Sequence, residues 1–271
     1  MIPDSDLFRP EDEIEKHFYI SIWRVRDKAS CQREETILPK GTAEIIFNLS
    51  TDPIAYVKPA SSALHKLPCC FINGVNTQPF HLIKSGQQLF IGIQMTSLGL
   101  KSLFRIDACD FNNNVVEGAL ISHSLQALCD ELYCQHSFSE QVSIIRKWLR
   151  LQILVSGNCK TLFLFQKMFQ TSNIESITIN NLCRAMGVSD RQLRRLSTAW
   201  LGMNTEKFLR YHKYLSALHL LHQSHESLTQ IGLRAGYYDQ SHFIREFKFY
   251  TGLTPKEYRL ANTGLPGHLF S

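Results

Sequence analysis

The sequence predicts an α+β chain of two domains: a strand-rich barrel or rolled sheet with two trailing helices over residues 1–157, and an all-α double helix-turn-helix over residues 158–271. Three observations carry this. The apolar pattern changes near Leu120, from short runs broken by turn residues to helical spacing. Charge divides with it: residues 1–159 hold fifteen Lys and Arg against seventeen Asp and Glu, a net of −2, while residues 160–271 hold fourteen against seven, a net of +7. One unit also occurs twice. Ile179, Leu182 and Gly187 superimpose on Leu228, Ile231 and Gly236 at a constant offset; one inserted residue after the turn then aligns Leu193 with Phe243, Arg195 with Arg245 and Gly202 with Gly252.

In the first hundred residues, Glu44–Ser50, Phe80–Ile83 and Leu89–Met95 are short apolar runs. Pro39-Lys40-Gly41, Asp52-Pro53, Asn73-Gly74 and Ser85-Gly86 punctuate them as turns. Short strands so spaced make a barrel or rolled sheet. Amphipathic helices follow over Leu120–Tyr133 and Ser139–Val155. In the second, Val142, Ile145, Trp148, Leu149 and Leu151–Ile153 form the apolar stripe and Ser139 the N-cap. The pair serves either to cover the open end of the sheet or to join a second copy of the chain. Val155–Cys159 is the expected linker, its Gly157 and Asn158 ending the helix.

In the first repeat Thr178 is an N-cap, Gly187 supplies the turn, Val188 plugs the angle and Ser189 caps the next helix. Leu193, Leu196 and Trp200 face inward, which leaves Arg191, Gln192, Arg194 and Arg195 outward near the helix N-terminus. A helix that enters the major groove by that end reads base edges: Arg forks suit guanine and a Gln amide suits adenine. In the second repeat Asp239 is the N-cap and Phe243 and Phe247 pack, while Gln240, Ser241, His242 and Arg245 face outward. Lys248 lies farther along, at the reach of phosphate rather than bases. Gly252 ends this helix and Thr254-Pro255 starts another. Between the repeats, Asn204–His222 is a helix of about five turns, roughly 28 Å long and close to the one-turn repeat of B-DNA. Its Phe208, Leu215, Ala217, Leu218 and Leu221 are placed to contact both units. Two such units on the basic half of the chain imply double-stranded DNA as partner.

Other classes fare less well. The eight cysteines stand at 31, 69, 70, 109, 129, 134, 159 and 183, with no C-x-x-C pair and no histidine spaced to complete a zinc set. His219, His222 and His225 recur at intervals of three but have no evident second shell, and His17, His65 and His81 lack the close spacing of a metal-binding cupin. No cofactor or metal is expected. No stretch approaches the roughly 18–20 apolar residues of a membrane span, and the acidic N-terminus is not laid out as a signal peptide, so a cytoplasmic location without membrane attachment is expected.

The C-terminal residues resemble the AraC family of bacterial transcription regulators. The resemblance covers about residues 160–262 and is most specific over Ile231–Arg259 (IGLRAGYYDQSHFIREFKFYTGLTPKEYR). It implies that Arg191, Arg194 and Arg195 read bases in one groove and that Gln240, Ser241, His242 and Arg245 do so in the next. It further implies a regulator whose more frequent mode is activation, with RNA polymerase, a small-molecule effector and a homodimer as partners. Three positions depart from the pattern: Ser197 replaces the usual Phe, Thr205 the usual Pro and Lys213 the usual Arg. Thr36–Leu49 (TILPKGTAEIIFNL) and Phe90–Phe104 (FIGIQMTSLGLKSLF) resemble a sensor domain found ahead of this module, with Lys40 and Ser97 as departures. No enzymatic activity is expected. The alternatives are a DNA-binding module fused to an enzymatic domain such as a DNA-repair alkyltransferase, and a sequence-independent architectural binder.

Overall fold

The computed structural model describes residues 4–29, 31–57, 63–96, 99–156, 178–261 and 267–270. The strand-rich region is two antiparallel sheets packed face to face, and they do not close into a barrel. One sheet contains β1 (Asp4–Phe8), β2 (Tyr19–Asp27), β4 (Ala43–Asn48), β7 (Cys70–Asn73), β9 (Gln88–Met95) and β10 (Val115–Glu117), in the order β1-β2-β9-β4-β7-β10. The other contains β3 (Arg33–Ile37), β5 (Ile54–Val57), β6 (Leu64–Lys66), β8 (Phe80–Lys84) and β11 (His268–Phe270), in the order β11-β3-β8-β5-β6.

The continuous apolar runs of β4 and β9 follow from burial on both faces. Ile45, Phe47, Ile91 and Ile93 join the core shared with the helices, whereas Ile46 and Phe90 pack with Phe80 and Leu82 of the second sheet. Gly92 lies opposite both Trp23 and Ile46. A Cβ there would stand 2.3 Å from the Trp23 ring, so the indole lies across a strand that must carry glycine at this point.

The helix expected over Leu120–Tyr133 is two: Gly118–Ile121 and His123–Tyr133. Ser122 breaks it, with extended backbone and a hydroxyl that accepts from the Ser124 amide at 3.2 Å. The following helix, Phe138–Ser156, begins one residue ahead of the expected Ser139 cap. Val142, Ile145, Trp148 and Leu149 are buried as expected, but Leu151 is exposed because two residues past Leu149 is the far side of a helix. Buried Glu15, on a short helix over Glu13–Phe18, accepts hydrogen bonds from Tyr19, Arg146 and Arg150 and fastens the long helix to the sheet. From residue 157 onward the expected linker lies outside the described residues, as does Ser97.

The helical region continues with α6 (Ile179–Met186), α7 (Asp190–Leu201), α8 (Thr205–Gln223), α9 (Leu228–Arg234), α10 (Gln240–Thr251) and α11 (Pro255–Ala261), the five preceding α-helices being α1–α5 (Glu13–Phe18, Gly99–Phe104, Gly118–Ile121, His123–Tyr133 and Phe138–Ser156). Its core is continuous with that of the sheets. The Tyr211 hydroxyl donates to the Asn76 carbonyl at 2.7 Å and accepts from the Gly41 amide at 2.9 Å, and Tyr214 donates to the Pro39 carbonyl at 2.9 Å. Asn112 donates to the Gly202 carbonyl, and the Lys101 ammonium sits 5.4 Å over the Trp200 ring. Leu215 of α8 packs against the shared core and also meets the Pro39–Gly41 loop, where it fills the space beside Gly41. The last described residues leave the helices and pair with β3, His268 opposite Ile37 and Phe270 opposite Glu35.

Candidate nucleic-acid interface

Both repeats are built by the same backbone chemistry. The α6 helix starts on the Thr178 side chain and ends at Gly187, φ +64°, where the Val188 amide reaches back to the Cys183 carbonyl at 3.1 Å. The α9 helix ends at the equivalent Gly236, φ +82°, with Tyr237 reaching back to Gly232 at 2.9 Å. Left-handed glycine with this six-to-one bond is a Schellman stop, which a side chain would strain. Ser189 and Asp239 then cap α7 and α10, and both of these helices end at left-handed glycines, Gly202 and Gly252. The inserted residue is Tyr238. Tyr237 is buried at the position equivalent to half-buried Val188, and Tyr238 stands 89% exposed at the head of α10.

On α7, Arg191, Gln192, Arg194 and Arg195 are all exposed. Arg194 is paired with Asp190 at 3.1 Å and Glu206 at 3.0 Å, whereas Arg191 and Arg195 form no ion pair among the described residues. The Gln192 oxygen accepts from the Ser189 amide and hydroxyl, closing a capping box. On α10, Gln240, Ser241, Arg245 and Lys248 are exposed, and the Gln240 oxygen accepts from Thr229 at 3.1 Å. As placed, the Gln192 oxygen already accepts two bonds and leaves its NH2 group to offer, a donor for purine N7, whereas the Gln240 oxygen accepts one and keeps a lone pair for the two-point contact to adenine. His242 is half-buried, edge-on to Tyr237 and 3.8 Å from Glu246, itself buried and paired with Arg210 of α8.

The three departures from the family pattern are compensated. Ser197 and Thr205 are both buried, and their hydroxyls bond each other at 2.9 Å, so two unusual polar residues satisfy one another. Lys213 donates to the Gly236 carbonyl at 2.7 Å, which fixes the linker helix to the turn of the second unit. Ala217, Leu218 and Leu221 of α8 are buried, with Phe208 half-buried.

The sheets enclose a second candidate site that the sequence did not point to, a cavity of about 350 Å³. Its apolar walls include Trp23, Ile46, Phe80 and Phe90, and one side carries Glu35, Lys40, Lys84 and His268. Lys40 donates to His268 Nε2 at 2.8 Å, His268 Nδ1 donates to Glu35, and Lys84 pairs with the same carboxylate. Burial alone would raise the Glu35 carboxyl, but the bond from His268 and the Lys84 ammonium overcome it and hold the group at about 2. Burial and the Lys40 charge push the His268 imidazole below its usual range, which matches a neutral ring accepting at Nε2. The docking tyrosines Tyr211 and Tyr214 and the pairing of β11 carry no sequence signal, since their partners lie more than a hundred residues away.

Among the described residues no helix is long and apolar enough to cross a membrane, and no group of three His, Cys, Asp or Glu could hold a metal. Burial pushes the Cys129 thiol up to about 12 and Cys70 higher still, the opposite of an activated nucleophile.

Comparison with known proteins agrees with this geometry. Residues 182–261 match a family of helix-turn-helix domains, and residues 8–117 match a domain of unknown function (DUF6597). The chain is 35% identical over 81 residues to an HTH-type transcriptional regulator of Haemophilus influenzae, covering 30% of this chain and 27% of that protein. It is 28% identical over 103 residues to the HTH-type transcriptional activator RhaR of Cronobacter sakazakii, covering 38% and 36%. The match thus spans about a third or less of these relatives' length. Among solved structures, ToxT of Vibrio cholerae superimposes with a TM-score of 0.50 at 10% identity, over 97% of this chain and 100% of that one. A second ToxT structure, bound to an unsaturated fatty acid, does so at 0.50 and 11% identity over 95% and 99%. Residues 182–261 thus form a helix-turn-helix domain similar to those of the HTH-type transcriptional regulators, carried behind a strand-rich N-terminal domain.

Proposed function

We propose that the protein is a sequence-specific DNA-binding transcription regulator in which α7 and α10 enter successive major-groove segments. The observation that carries this reading is the duplicated turn: two recognition helices, each with a side-chain N-cap and a left-handed glycine stop, joined by α8 of 19 residues, about 28 Å at 1.5 Å per residue. The exposed cations Arg191, Arg195, Arg245 and Lys248 on those two helices, without an ion pair among the described residues, support it further. Arg191, Gln192, Arg194 and Arg195 would read one segment and Gln240, Ser241, His242 and Arg245 the next, with Lys248 on phosphate. Arg194 would exchange its two surface ion pairs for DNA, a small loss because exposed pairs contribute little. The activators among the relatives favour activation, with RNA polymerase as partner. Leu151, Leu154 and Val155 are exposed at the end of α5, which favours a homodimer.

The N-terminal domain would bind a small effector in the cavity, whose apolar walls and lysines suit an apolar molecule with an acidic group. The decisive test is selection of binding sites from random duplex DNA at fixed salt. A defined two-segment site is expected, and Arg195→Ala should cost about 1–3 kcal/mol on it while relaxing one base position. Equal loss on all sequences would reduce Arg195 to a phosphate contact, and no enrichment at all would favour the architectural reading. Stoichiometric zinc or alkyl transfer by the purified chain would favour the enzymatic one.

A further inference from the structure

We propose that β11 is a strap that shuts the cavity and ties the second helix-turn-helix unit to it, so that what occupies the cavity sets the freedom of that unit. The coupling to an occupant rests on the reading of the cavity as the effector site. Four observations meet at this strand. Its ladder to β3 is extended by the Leu38 amide, which donates to the Gly267 carbonyl at 2.7 Å. Its root is bonded to the DNA-binding helices: the Gly267 amide donates to the hydroxyl of Tyr258, a fully buried residue of α11 whose ring packs 5.7 Å from Phe247 of the recognition helix α10. Its first residue, His268, forms part of the cavity wall and is the middle of the chain Lys40–His268–Glu35–Lys84. Lys40, finally, lies between Pro39 and Gly41, the two residues that hold Tyr214 and Tyr211 of the linker helix.

The physical consequence is a shared set of hydrogen bonds. A ligand group that engages Lys40 draws its ammonium away from His268 Nε2, and one that engages Lys84 draws that ammonium away from Glu35. Weakening the bonds of buried polar groups is costly, so the strap loosens when the cavity's polar side is occupied. Other attachments among the described residues, Asn112 to Gly202 and Lys101 over Trp200 at the first unit and the two tyrosines at the linker helix, do not include β11. The second unit alone should therefore gain freedom.

The test compares the full chain with a chain ending at Pro266 and with His268→Ala. It uses 1-anilinonaphthalene-8-sulfonate as a probe of cavity access and amide hydrogen exchange as a probe of local freedom. In the shortened chain probe fluorescence should rise about fivefold. Amides of Arg33–Ile37 and Gln240–Thr251 should exchange about tenfold faster, while those of Asp190–Leu201 stay within about twofold. His268→Ala should show the same pattern at smaller amplitude, and it decides the matter should the shortened chain not fold. Unchanged probe binding would refute closure of the cavity, and unchanged exchange in Gln240–Thr251 would refute the tie to the second unit. Neither measurement uses DNA or an effector. Failure to find an effector would thus defeat the sensing reading while leaving the strap supported by its own result.

Discussion

Replacing Ser197 with alanine removes one member of a buried hydroxyl pair and leaves the other, Thr205 Oγ1, without its 2.9 Å partner in a site closed to water. A buried hydroxyl deprived of its bond costs about 1–3 kcal/mol, and Thr205→Val should cost a similar amount for the same reason. Replacing both removes two polar groups together and keeps their shapes, so the double variant should lie within about 1 kcal/mol of the parent. The four proteins form a cycle whose coupling energy, the two single losses less the double one, should be at least about 1 kcal/mol. The better helix propensity of alanine appears in both the single and the double variant and cancels in the cycle. Urea unfolding followed by tryptophan fluorescence measures it, Trp200 being three residues along the same helix. Additive losses would show that the hydroxyls do not support each other, and the account of how this chain tolerates two departures from its family pattern would fail.

Three further outcomes follow from the same geometry. Lys248→Ala should weaken binding about equally on all duplexes and lower the salt slope by about one, seen in titrations at several salt concentrations; altered base preference would mean that α10 sits in a different register. Gly41→Ala should destabilise by at least about 1–2 kcal/mol, since the residue holds φ +72° and its new Cβ would meet Leu215; thermal unfolding checks this, and a neutral result would mean that the loop and linker helix are not tightly docked. The folded His268 titrates below its usual 6.5, so its contribution is complete above that pH and declines as pH falls from there. Glu35, held at about 2 against 4.5, adds a second decline below 4.5. Melting temperatures measured against pH should show both, and His268→Gln should abolish the upper one; persistence of that step would assign it to another group.

Local chemistry determined much of this protein from its sequence. The turn glycines, the caps Thr178, Ser189 and Asp239, and the apolar anchors of the repeats act over a few residues, so their spacing prescribes two helix-turn-helix units without reference to anything distant. The runs at β4, β8 and β9 were legible for the same reason. β2 was not, because Arg24 looks polar in sequence and becomes a buried core residue only when Asp6, Gln141 and the His136 carbonyl surround it. The helix at Leu120 seemed continuous because a single serine, extended in its backbone, decides the break. Which outward residues on α7 and α10 are held by neighbours also needed the third dimension: Arg194 meets Glu206 from another helix, and Gln240 meets Thr229. Long-range pairing decided the rest. The meeting of Ser197 with Thr205, the docking of Tyr211 and Tyr214 on the Pro39–Gly41 loop, and the return of His268 to Glu35 across more than two hundred residues join positions that no local rule relates, and only the packed chain brings them within hydrogen-bond reach.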